Sequence, residues 1–268
     1  MEPAAYERFT ADLDRALQAD PRVLALVAVG SMAGRDPAPD RWSDHDFFVV
    51  VTPGEQESFR TDLAWLPGRD QIAFSYRETA HGVKVVFRDG HLVEFAVFDP
   101  DELAFARINR YRLLFDRERI GERLARVARA TVGSAQAAAP ADDWLVGQFL
   151  TNLLVGVGRH CRGEKLSGRQ FVKTSALTHL IVLLAKHLDS PARGLLDSLD
   201  PFRRFERVFP SLGRELDAIL EQDTPDAARA LLNLAVRELP ERFPSEAVEV
   251  VRVRLASDPG SPRPRREL

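Results

Sequence analysis

The sequence predicts an α+β protein, strand-built in its first half and helical in its second. Two observations carry this. Short apolar runs rich in β-branched residues, each closed by glycine, proline or aspartate, recur up to about residue 115. Beyond about residue 117 the apolar period changes from two to 3.6.

Taken in order, Phe9, Leu13 and Leu17 lie at helical spacing within 3–19, and Asp20-Pro21 ends that pattern. Residues 23–29 read as a buried strand that delivers the tight turn at Gly30. Residues 31–35 begin a helical turn, and Pro37, Pro39 and Asp40 mark a loop. A second strand covers 46–51, and a helix is expected over 55–66. The runs 83–87 and 92–98 flank Asp89-Gly90, a hairpin signal. A helix over 101–109 and a short strand over 111–115 complete the first half.

In the second half, Leu145, Phe149, Leu153 and Val157 line one helical face, and Leu177, Leu180, Leu184 and Leu188 another. Further helices are expected near 211–221 and 226–238, the latter from Thr224 as cap and Pro225 at the first helical position. The expected domains are 1–117 and 118–256, followed by a flexible tail over 257–268. The Ala/Pro-rich stretch 134–141 is the best linker.

Composition narrows the function. With 37 basic and 40 acidic residues the net charge is -3, which gives no drive toward nucleic acid or an anionic membrane. A single cysteine, Cys161, excludes an intrachain disulfide and cysteine-rich metal sites and is expected to be inert packing. The six histidines show no metal spacing; His160, His179 and His187 read as helix-surface or satisfied core residues. No window is apolar enough to span a bilayer and no signal peptide is legible, so a cytoplasmic protein is expected.

One constellation stands out: Gly30-Ser31 after the first strand, Asp44 and Asp46 at the mouth of the second, and Glu94 inside a later apolar strand. Positions two apart on a strand face the same way, so Asp44 and Asp46 can present two hard oxygen ligands suited to magnesium. An acid in the middle of LVEFAVF asks for a reason, since an unpaired carboxylate facing an apolar interior is costly. The glycine lets backbone approach a phosphate, and the serine hydroxyl and nearby N–H groups can donate to it. Neither a Walker-type nor a Rossmann glycine string is present. The bland alternatives are a solvated, capped turn for the aspartates and a solvent-facing strand position for Glu94. Asp40 reads as a loop acid, and Trp42 as either a stacking or a packing residue.

In VGSMAGRDPAPDRWSDHDFFVV, with VEFAVF later, the chain resembles the nucleotidyltransferase superfamily of DNA polymerase beta and the antibiotic nucleotidyltransferases. The order is strand, Gly-Ser, Asp-x-Asp on the next strand, and a third acid beyond. WSDHD and the string RGEKLSGRQFVKTSALTHLIVLL are similar to the aminoglycoside and lincosamide enzymes. His45 departs from the pattern, which has an apolar residue there.

The resemblance implies a mixed β-sheet flanked by helices, followed by a helical bundle that binds substrate. It implies transfer of a nucleoside monophosphate from a triphosphate, ATP by preference, to a hydroxyl of a small antibiotic-like acceptor, with release of pyrophosphate. Two magnesium ions would be held by Asp44, Asp46 and Glu94, with Glu94 as ligand, general base or both. Gly30, Ser31 and Arg35 would hold the triphosphate, met by Lys165, Arg169 and Lys173, whose alternative is an ordinary solvated helix face. A protein or RNA acceptor, a non-catalytic nucleotide-binding antitoxin or sensor, and a homodimer stay open.

Overall fold

The run VLALVAV forms β1 (Val23–Val29), buried along most of its length because it has no polar side chain and a strand on either side. The computed structural model describes residues 2–34, 39–137 and 140–256. The other strands are β2 (His45–Val51), β3 (Ile72–Arg77), β4 (Gly82–Phe87), β5 (Leu92–Phe98) and β6 (Tyr111–Asp116). They form one sheet in the order β3-β4-β5-β2-β1-β6. All neighbours are antiparallel except β2 and β5, which run parallel, so the sheet is mixed as the resemblance implies.

Each face of the sheet has its own apolar layer. Phe47, Val49, Phe95 and Val97 point to the side covered by α1 (Pro3–Ala19), which contributes Tyr6, Phe9, Leu13 and Leu17, and by Phe59 of α2 (Gln56–Thr61). Val27, Val50 and Phe98 point to the opposite side. There they meet Leu103 and the first turns of α3 (Ile120–Ala137), with Ile120 and Leu124 fully inside.

The chain divides into two compact units, Met1–Ala137 and Ala138–Leu268. Helix α3, which follows β6, buries Ile120 and Leu124 in the first unit's own core. Residues 257–268, expected as a flexible tail, lie outside the described residues.

Two expected helices are shorter than the sequence implies. The one expected over 55–66 stops at Thr61 because the Asp62 carboxylate takes the Ala64 N–H and turns the chain. The one expected over 101–109 is a 3-10 turn, Glu102–Phe105, where Asp99 accepts from the N–H groups of Asp101 and Glu102.

The described residues of the second unit form helices joined by loops: α4 (Asp142–Cys161), α5 (Lys165–Gln170), a π turn Phe171–Ala176, α6 (Leu177–His187), α7 (Phe205–Val208), α8 (Pro210–Glu221), α9 (Thr224–Glu238) and α10 (Ser245–Ala256). Its core holds the faces expected on α4 and α6. The cap of α9 is Asp223, whose carboxylate accepts from the Asp226 N–H, and Thr224-Pro225 form the first turn. Helices α4 and α5 meet through glycine: a Cβ on Gly168 would stand 2.7 Å from the Gly156 carbonyl oxygen. Cys161 is exposed at the end of α4, not packed.

Candidate active site

The chain leaves β1 through Gly30, at φ +54°, and enters a 3-10 turn, Gly30–Ala33. That backbone region is open to glycine and costly for other residues. Space makes the same demand, since a Cβ on Gly30 would stand 2.2 Å from Oδ2 of Asp46. The turn is therefore seated against the carboxylate. Arg112 of β6 steadies it by donating to the Met32 carbonyl oxygen at 3.2 Å. The Ser31 side chain and Arg35 lie outside the described residues.

Asp44 stands just before β2 and Asp46 just inside it, both partly buried. The parallel pairing of β2 with β5 sets Asp46 beside Glu94. Antiparallel pairing then sets Glu94 beside Lys84, and Lys84 beside Tyr76. Paired positions share a face, so a polar row Tyr76, Lys84, Glu94, Asp46 crosses four strands. Lys84 Nζ lies 2.8 Å from Glu78 and 3.1 Å from Glu94. Glu78 first, and then Glu94, hold its pKa above the ordinary lysine value against partial burial.

Among the described residues no three His, Cys, Asp or Glu side chains stand close enough to enclose a metal ion. Glu94 is drawn instead toward Lys84. The donor set nonetheless fits magnesium, which takes one or two carboxylates and fills its octahedron with water and substrate phosphate. All the donors are hard oxygens, and the missing side chain of Gly30 lets its backbone lie against the Asp46 carboxylate.

Behind the acids, His45 points to the other face and is fully buried. Its ring stacks on Tyr6 with centroids 3.8 Å apart. The Thr10 hydroxyl donates to the Tyr6 carbonyl oxygen at 3.1 Å, so its oxygen is left to accept from His45 Nε2 at 2.9 Å. His45 Nδ1 then accepts from Nε2 of buried His91 at 2.8 Å. This tautomer chain follows from the partners available. Burial first, and then His91, push the His45 pKa down to about 3, and burial lowers that of His91. The Tyr6 hydroxyl donates to the Asp44 carbonyl oxygen at 3.1 Å, which ties this network to the backbone that carries the acids.

The remaining candidates sit in different settings. Trp42 is 79% exposed, with Arg41 over its ring at 4.6 Å, so it is not a packing residue. Lys165 and Arg169 are on α5 of the second unit. Lys173, in the π turn, donates to the carbonyl oxygens of Leu220, at 2.5 Å, and Gln222 at the end of α8. Its ammonium thus serves the last turn of a helix. Sequence reasoning missed Lys84 and His91. The signal for Lys84 was the one that found Glu94, a charge alternating with valines in a strand.

No family model and no curated protein matches the chain. Among solved structures it is similar to an aminoglycoside 6-adenyltransferase from Bacillus subtilis, at 16% identity over 92% of this chain and 97% of that one, with a TM-score of 0.37. It is also similar to a nucleotidyltransferase-like protein from Exiguobacterium sibiricum 255-15, at 14% identity over 94% of this chain and 89% of that one, with a TM-score of 0.33. Likenesses this distant assign neither a family nor an activity.

Proposed function

We propose that the chain is a nucleotidyltransferase that moves a nucleoside monophosphate from a nucleoside triphosphate, ATP by preference, to a hydroxyl of a small molecule. The observation that carries this is the seating of the Gly30 turn on Asp46, with Glu94 beside it across the parallel pair. A turn that opens on a residue without a side chain, pressed on the carboxylate of Asp46, is what a polyphosphate and its cation need at close quarters.

Asp44 and Asp46 would hold magnesium, with Glu94 contributing to a second ion. Bound there, the metal supplies positive charge to the triphosphate and favours the alkoxide form of the acceptor. The Gly30–Ala33 turn positions the phosphates. Glu94 receives the acceptor's proton as its oxygen bonds to the α-phosphorus and the bond to the β-phosphate bridge breaks, releasing pyrophosphate. Lys84 fixes the Glu94 carboxylate for that task, and Trp42 offers an exposed ring for a base or a sugar. The acceptor class is an aminoglycoside or lincosamide antibiotic or a similar polyhydroxylated metabolite.

The test is mass spectrometry of acceptors incubated with the protein, ATP and magnesium. An aminoglycoside, lincosamide or related polyol that gains one nucleoside monophosphate, with equimolar pyrophosphate, supports the proposal. Label on protein side chains would replace the acceptor class. No transfer to any acceptor, with nucleotide still bound, would favour a binding protein instead.

A further inference from the structure

Between the 3-10 turn Glu102–Phe105 and α3 lies a cavity of about 610 Å³. None of its lining residues is Gly30, Asp44, Asp46 or Glu94. That volume is within the roughly 300–1,000 Å³ typical of small-molecule sites.

Its walls have two chemistries. Leu103 and Ala106, both buried in the layer beneath, and Val127 of α3 make an apolar floor. Phe105 stands beside it, 72% exposed. Its ring is held in place by stacking on His81 with centroids 5.7 Å apart, and His81 stacks in turn on Phe98 at 5.1 Å. A large aromatic ring fixed in position yet left open to water is a surface suited to a second flat ring.

The rim is cationic. Arg107, Arg123 and Arg126 line the cavity against one acid, Asp101, in a chain whose net charge is -3. Arg123 is already engaged, with Asp101 at 2.9 Å and the Pro100 carbonyl oxygen at 3.0 Å. The side chains of Arg107 and Arg126 have neither an ion pair nor a hydrogen bond among the described residues. Two uncommitted guanidinium groups over an apolar floor match a carboxylate or phosphate attached to a ring, since each can form paired N–H bonds to such an anion.

We propose that this cavity is a second binding site, for a planar aromatic anion. The ring lies on Phe105 above Leu103 and Val127, and its acidic group is taken by Arg107 and Arg126. An aromatic carboxylate and a nucleoside monophosphate both carry this chemistry. The site is independent of the transferase proposal and stands or falls apart from it.

The experiment is a fluorescence titration of the full chain with 1-anilinonaphthalene-8-sulfonate, an aromatic anion that brightens in apolar surroundings. One equivalent should bind. Both Arg107→Ala/Arg126→Ala and Phe105→Ala should bind at least about tenfold more weakly, with melting temperatures unchanged because all three residues are exposed. Arg129→Ala, on the same helix but outside the cavity lining, should bind as the unaltered chain does. Competition then names the source: displacement by salicylate identifies an aromatic carboxylate, and displacement by adenosine monophosphate a nucleotide. The proposal is overturned if the double arginine variant binds within twofold of the unaltered chain, if uncharged N-phenyl-1-naphthylamine binds as tightly, or if neither competitor displaces the probe.

Discussion

Gly30 has no side chain because Asp46 occupies the place where one would be: a Cβ there would lie 2.2 Å from the aspartate Oδ2. Gly30→Ala should therefore act twice. The positive φ costs about 1–2 kcal/mol in stability, and the methyl group pushes the Asp46 carboxylate from its position. The expected result is a melting temperature lower by a few degrees with transfer reduced by about 100-fold or more, the equivalent of roughly 2.7 kcal/mol at the transition state. Calorimetry and steady-state kinetics on the same preparation measure the two effects.

Lys84 bridges Glu78 and Glu94. Lys84→Met should leave the chain folded and lower kcat by about tenfold, some 1.4 kcal/mol, with little change in the KM for the triphosphate. Lys84→Arg should recover part of the rate, because a guanidinium can still reach both carboxylates. A loss confined to KM would place Lys84 on the nucleotide instead.

His45 and His91 set an acid limit to stability. Both have pKa values below the ordinary histidine value of 6.5, to about 3 for His45, so the unfolded chain binds more protons than the folded one once the pH falls below about 6.5. Stability is full above that pH and is lost progressively down to about pH 3. Linkage puts the His45 share of the loss at pH 5 near 2 kcal/mol. Denaturant midpoints measured from pH 8 to pH 4 should show this slope, and His45→Phe, which keeps an aromatic ring in the stack, should flatten it.

Lys173 tests a structural assignment in the other unit. Losing its bonds to the Leu220 and Gln222 carbonyl oxygens in Lys173→Met should cost about 1–2 kcal/mol. The KM for the triphosphate should stay unchanged. A rise in that KM without loss of stability would favour the phosphate-binding role.

What was legible in the sequence was local. The β1 run ending at Gly30, the acids before and within β2, and the hairpin of β4 and β5 all announce themselves through period two and turn residues. What was hidden depends on long-range pairing. Nothing near Asp46 in the chain says that β2 will run parallel to β5 and set it beside Glu94, or that Lys84 will come next in the row. Strand β3 escaped notice because it is a sheet edge with Phe74 and Tyr76 exposed, so it lacks the buried alternation that marks a strand. His45 looked out of place in DHDFFVVV because its partners, Thr10 and His91, lie 35 and 46 residues away.

The most direct test of the transferase proposal is magnesium-dependent pyrophosphate release by Asp46→Asn beside the unaltered chain, with folding of both checked by circular dichroism. The substitution keeps the size of the side chain and removes its charge. Release lost by about 1,000-fold or more, near 4 kcal/mol, in a folded variant is the expected result. Near-normal release would contradict the placing of the reaction at Gly30, Asp46 and Glu94.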